Sequence, residues 1–232
     1  MTRQQLQPIV RSATASAWCR AAVALALLAG PLGLAATQAA TPPAGEAEDV
    51  LPAEAASGPA VVEGFRSATF GMDENAVRRA IHADFQLSGN EIARWRNDLE
   101  QTTVLSVTVP DLIPDAGTVV VSYVLGRSGR LIQVTLLWGS EGPAVTRTDM
   151  EAAAALLIAA LDERGFEPEV TGAPVAFADG SNLLYYARDE AGGGVALSAL
   201  PSANPDAAAI MRLAYTADLD NPDVFRAPGI RP

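Results

Sequence analysis

The stretch FRSATFGMDENAVRRAIHADF, residues 65–85, followed by TTVLSVTV, 102–109, and TVVVSYVLGRSGRLIQVTLLWG, 118–139, decides the fold. Asp73 stands where a helix N-cap is wanted. Val77, Ala80, Ile81 and Phe85 follow at helical spacing and make one apolar stripe. The later runs alternate instead. Leu105, Val107 and Val109 share a face, as do Val119, Val121, Tyr123 and Leu125, and then Ile132, Val134, Leu136 and Trp138. Ser106, Thr108, Ser122, Gln133 and Thr135 take the opposite face. One helix followed by an antiparallel sheet with a covered and a more polar face is the expectation. Gly126-Arg-Ser-Gly129 supplies the tight turn between the last two strands, and Pro110 ends the first.

Between helix and strands, Ser88-Gly-Asn-Glu91 fits a capping box. Ile92, Trp95 and Leu99 then fall at i, i+3 and i+7, which predicts a second short helix, although EIARWR reads equally as an edge strand.

The second half repeats the order of elements. Thr148-Asp-Met-Glu151 fits another capping box, and Met150, Ala154, Leu157 and Leu161 make the buried stripe of a long helix ending at Arg164-Gly165. VAFADG, NLLYYARDE, GVALSAL and IMRLAYTA follow with strand character, punctuated by Asp179-Gly180, Gly192-Gly-Gly194 and Asn204-Pro-Asp206. Residues 218–232, DLDNPDVFRAPGIRP, read as a flexible tail.

Upstream, residues 1–40 read as a secretory signal peptide. Arg3, Arg11 and Arg20 supply the positive region, AAVALALLAGPLGLAA (21–36) the uncharged core, and Ala39 or Ala40 the cleavage site. The apolar run is short for a span and is broken by Gly30-Pro31, so no membrane anchor is expected after cleavage. Residues 41–62, rich in Pro, Ala, Gly and Glu, read as a linker. The organisation expected is therefore signal 1–40, linker 41–62, a first α+β unit over 63–140, a second over 141–217, and the tail. The fold class is α+β: two units of helix plus antiparallel meander, with the helices packed on one face of the sheet.

Composition excludes several chemistries. The chain of 232 residues carries a formal charge of −11, which becomes −14 once three arginines and no acids leave with the signal. That balance argues against nucleic acid and anionic lipid as partners. All 16 basic residues are arginine, so no lysine is present to form a Schiff base. The single cysteine, Cys19, lies inside the signal, which leaves the mature chain without a thiol, a disulfide or a Cys-ligated metal. His82 is the only histidine and lies off the apolar stripe, so it reads as a solvated helix residue. Asp218, Asp220 and Asp223 hint at an oxygen-ligand calcium loop, but Pro222 occupies the fifth position and no glycine the sixth, so an acidic tail is the better reading. Asp189-Glu190 beside three glycines reads as a hairpin turn in preference to an acid–base pair. Gly126-Arg-Ser-Gly-Arg130 lacks the spacing and lysine of a phosphate loop. No cofactor and no metal are expected.

The one locally basic segment is Arg94-Trp95-Arg96, with Arg78 and Arg79 on the preceding helix. Trp and Arg are the residue types that dominate interface hot spots, so these five are the candidate partner-binding residues. The plainer alternative makes Trp95 a core residue and the arginines a solvated rim.

Phe70-Gly-Met-Asp-Glu-Asn-Ala-Val77, opening a helix that leads into an antiparallel meander, resembles the BamE (SmpA/OmlA) family and the related fold of the β-lactamase inhibitor proteins. Asp73 stands where that motif has Ser or Thr. The resemblance implies helices on one face of a sheet, in tandem in the inhibitor proteins, and a binding or assembly module of the bacterial envelope. The function expected is a periplasmic or secreted protein that binds an envelope protein without catalysis. The alternative is a binder of a small apolar or amphiphilic ligand held between helix and sheet. An enzyme working with carboxylates alone comes third.

Overall fold

A computed structural model of the chain describes residues 60–142, 145–202 and 210–226. The signal segment, and the linker up to residue 59, lie outside the described residues.

The described chain opens with a small hairpin, β1 (Gly64–Phe65) against β2 (Ala68–Thr69), which periodicity does not reveal. Helix α1 (Glu74–Phe85) follows, capped as expected: the Asp73 carboxylate accepts from the Ala76 N–H at 2.9 Å. Its buried residues are Val77, Ala80 and Ile81. Gln86, left-handed at φ 60°, ends it by donating its N–H to the His82 carbonyl. A single 3₁₀ turn, Gly89–Glu91, holds the Ser88 N–H on the Glu91 carboxylate at 3.1 Å.

The second short helix does not form. Ala93–Asn97 is strand β3, antiparallel to β4 (Thr102–Val109), with Trp95 opposite Val104 and Arg94 opposite Leu105. The apparent helical spacing is accidental: Ile92 is buried, but Trp95 is 51% and Leu99 70% exposed, so the three share no face. β5 (Val119–Leu125) and β6 (Leu131–Trp138) complete a four-stranded antiparallel sheet in the order β3-β4-β5-β6. A register shift after Val124 pairs Leu125 with Leu131. Leu131 is therefore buried where alternation assigns Ile132, which is half-buried.

Helix α2 (Arg147–Glu163) is capped two residues earlier than expected. Thr146 is the N-cap, its hydroxyl accepting from the Asp149 N–H at 3.2 Å. Thr-x-x-Asp at 146–149 satisfies the same requirement as Thr-x-x-Glu at 148–151, and the earlier one adds half a turn to the helix. The expected stripe of Met150, Ala154, Leu157 and Leu161 is buried, joined by Ala153. Gly165, at φ 80°, closes the helix, its N–H donating to the Asp162 carbonyl at 2.9 Å.

The remaining strands are β7 (Pro168–Val170), β8 (Val175–Ala176), β9 (Asn182–Arg188), β10 (Gly194–Leu200) and β11 (Ile210–Thr216). They form a second antiparallel sheet in the order β11-β10-β9-β7, with β8 also on β9. The two sheets adjoin at β6 and β11, which run side by side, and the Ala217 N–H donates to the Ile132 carbonyl at 2.9 Å. A single cluster of buried residues takes Ile81 and Val77 from α1, Leu157 and Leu161 from α2, and Tyr123, Leu136, Trp138, Tyr185, Leu197 and Leu213 from the sheets. The described fold is thus α+β, two helices and mostly antiparallel strands.

Two boundaries differ from the sequence reading. Val62, assigned to the linker, is buried, and its N–H donates to the Asp189 carboxylate at 2.8 Å. Residues 218–226, assigned to the tail, lie along the turns of the sheet. The Leu219 N–H donates to the Gly192 carbonyl, Arg127 N–H to the Asp223 carbonyl, and Phe225 N–H to the Glu100 carbonyl. Each carboxylate there has a nearby donor, which composition alone conceals. Residues 227–232 lie outside the described residues.

Candidate functional site

Among the described residues, β3 is the outer strand of its sheet, with a hydrogen-bonded neighbour on one side only. Its residues Ala93, Arg94, Trp95 and Arg96 are all exposed. Successive side chains of a strand point to opposite faces, so the cross-strand partners assign them. Arg94 pairs with Leu105, a core residue with no exposure, which puts Arg94 and Arg96 on the helix-covered face. Trp95 pairs with Val104 on the opposite face.

The arginines meet the start of α1. Arg94 Nε donates to Glu74 Oε1 at 3.0 Å and Oε2 at 3.2 Å. Arg78, one turn along α1, donates to the same Oε1 from its Nη2 at 3.0 Å. The Arg94 hydrogen bond, with Arg78 adding to it against a small burial cost, holds the Glu74 carboxyl below the usual carboxylate range. Arg96 pairs with Asp98 at 3.2 Å, both largely exposed. Arg79 is exposed on the helix and outside these contacts. Three arginines, Arg78, Arg94 and Arg96, therefore meet two carboxylates, Glu74 and Asp98. The pairs are exposed, where each contributes about 0–1 kcal/mol, so they orient the guanidinium groups more than they stabilise the fold. Arg94 and Arg78 are brought together, Arg96 lies on the same strand face, and Trp95 is separated from all of them by the plane of the sheet.

Exposed apolar side chains gather at the same end. Leu99 lies in the turn after β3, and the Phe225 backbone is bonded to Glu100 in that turn, with Phe225 exposed. No sequence signal links residues 95, 99 and 225.

The other candidates take structural places. His82 is exposed on α1. Asp189 is buried and accepts from the Val62 and Gly193 N–H groups at 2.8 and 2.7 Å, tying the N-terminal entry to the β9–β10 turn, while Glu190 is exposed. Asp218 accepts from the Asp220 and Asn221 N–H groups, Asp220 pairs with Arg188, and Asp223 accepts from the Ser128 N–H at 2.8 Å. Hydrogen bonds from Ser128 hold the Asp223 carboxyl low. These acids close turns and fasten the C-terminal segment to the sheet.

A cluster that sequence reasoning misses lies at the far end of α1. Arg66, left-handed at φ 51°, stacks its guanidinium 4.8 Å from the Phe85 ring centroid and 5.8 Å from that of Phe65. It donates to the Asp84 carbonyl at 3.3 Å, and the Asp84 carboxylate accepts from the Ser67 N–H. Burial pushes the Arg66 guanidinium down and the fully buried Tyr123 hydroxyl up. An arginine at positive φ in a two-residue turn leaves no pattern to read.

Among the described residues, no helix is long and apolar enough to cross a membrane. No family model, curated protein or solved structure matches the chain.

Proposed function

We propose that the protein is an exported, non-catalytic component of the bacterial envelope that binds another protein through β3 and the adjoining start of α1. In this reading the chain is two units of helix plus antiparallel meander with the helices on one sheet face, as in the families that Phe70–Val77 resembles. The element order supports it: α1 precedes β3 to β6, α2 precedes β7 to β11, and one core takes residues from both. The N-terminal segment 1–40 would direct export and leave an N-terminus close to Thr41. Mass spectrometry of envelope material tests that part; intact Met1 on protein confined to the cytoplasm would refute it.

The observation that carries the binding role is the placement of Trp95. A tryptophan half-exposed in the middle of an edge strand, with an arginine on either side, has the composition of an interface anchor and adds little to the core. The double substitution Arg94→Ala, Arg96→Ala removes only exposed ion pairs, so the melting temperature should hardly change. Affinity for the captured partner should fall by about 1–2 kcal/mol, with a shallower salt dependence. Unchanged affinity and unchanged salt dependence, with the protein folded, would overturn this surface as the binding site.

A further inference from the structure

We propose that β3 is an acceptor edge: an extended acidic segment of a partner protein adds to it as a further strand, acidic side chains over Arg94 and Arg96 and apolar ones over Trp95. This rests on the reading of β3 as the partner surface and specifies how the partner is held.

Arg94 and Arg96 lie on the helix-covered face and Trp95 on the other. A partner approaching either face meets one set and not both. A chain running along the outer edge meets both, because its own side chains alternate in the same way.

The two outer edges differ. At the β9 side the edge is broken: Pro168 lies in β7, the register shifts between Pro168 and Val170, and the pairing passes to β8, only two residues long. Those are features that prevent strand addition. β3 has none of them. Its five residues pair with β4 in one unbroken register, without proline or bulge. Among the described residues no strand pairs with its outer side, which leaves those backbone groups for a ladder.

Charge selects the occupant. A second copy of β3 would bring the arginine rows of two strands against each other, and like charges directly opposite are destabilising. An acidic strand meets opposite charge there. Glu74 takes Arg94 by its Nε, and the Nη groups of the same guanidinium are further donors for a carboxylate. The arginines thus exclude self-pairing and admit an acidic chain.

The test uses the full chain and a synthetic peptide of about eight residues alternating glutamate with valine. Calorimetry should detect binding, and hydrogen exchange should show the amides of residues 93–97 slowed by the peptide. Replacing each glutamate with lysine should abolish binding, and Arg94→Glu with Arg96→Glu should weaken it at least about tenfold. The deciding probe is the same peptide N-methylated at alternate amides, used on the unaltered protein, which should not bind. Equal affinity for the methylated peptide would overturn strand addition while leaving β3 a side-chain contact surface, so the failure of this inference is distinguishable from the failure of the binding site. No binding of the unmodified peptide up to millimolar concentration overturns it too. So does slowing of the β3 amides that rises with protein concentration alone, which would make a second copy the occupant.

Discussion

Trp138→Ala is expected to lower the free energy of unfolding by about 3–5 kcal/mol, whereas Trp95→Ala should lower it by less than about 1 kcal/mol. Both are strand tryptophans in the first sheet, and sequence pattern assigns Trp95 as readily to the core as to the surface. Burial separates them. Trp138 ends β6 opposite Val119, has no exposure, and belongs to the cluster that joins both helices to both sheets. Its indole Nε1 has no hydrogen-bond partner among the described residues, so truncation forfeits packing alone and leaves a large cavity. Trp95 is 51% exposed on an outer strand, so truncation removes a side chain already half in water. Urea unfolding of the two variants checks the contrast. Similar losses for both would mean that Trp95 is covered in solution, which removes the basis for an interface there. A small loss for Trp138→Ala would mean that the core is not continuous from β6 to the helices.

The same contrast shows where residue pattern is a sufficient guide. Long alternating runs were readable because one face is uniformly buried: Val119, Val121 and Tyr123 need no partner to declare their side. The Asp73 cap and the α2 stripe were readable for the same reason, since each is settled within one or two turns. Where the outcome depends on a distant neighbour, local pattern fails. Ala93–Asn97 becomes strand because β4 is available to pair with it, 102–109 supplying five register partners for residues of indifferent propensity. Leu131 displaces Ile132 through a bulge set by the preceding turn. Residues 218–226 are placed by turns 27 (Leu219 to Gly192) to 125 (Phe225 to Glu100) residues away, where Gly126 leaves room for Asp223: a Cβ on Gly126 would stand 2.6 Å from the Asp223 carbonyl oxygen. Of the candidate site, the composition of Arg94-Trp95-Arg96 was legible, but its division between two faces was not. That division follows from register with β4, and it is what turns a basic segment into an edge.

Gly64→Ala is expected to destabilise the protein by about 3–5 kcal/mol, the combined cost of a forbidden backbone conformation and a backbone clash. Gly64 stands at φ 144°, a region essentially reserved for glycine. An added Cβ would lie 2.1 Å from the Ala68 carbonyl oxygen and 2.8 Å from Thr69 Cα, both backbone atoms of the paired strand β2. Neither can withdraw easily. Ala68 and Phe65 are fully buried, and the hairpin is closed outside them by the Phe70 N–H on the Glu63 carbonyl at 2.8 Å. The hairpin also carries Arg66, whose guanidinium lies over Phe85 and bonds to Asp84 at the end of α1. Displacing it loosens the attachment of the same helix whose first turn holds Arg94 through Glu74. Gly165→Ala is the control. Gly165 is also at positive φ, 80°, but nothing lies within 4 Å of its added Cβ, so only conformational strain of about 1 kcal/mol remains. Urea midpoints of the two variants separate clash from strain. Equal small shifts would show that β1 and β2 are not held as closely as their pairing states, and with that the hairpin would lose its role in fixing α1.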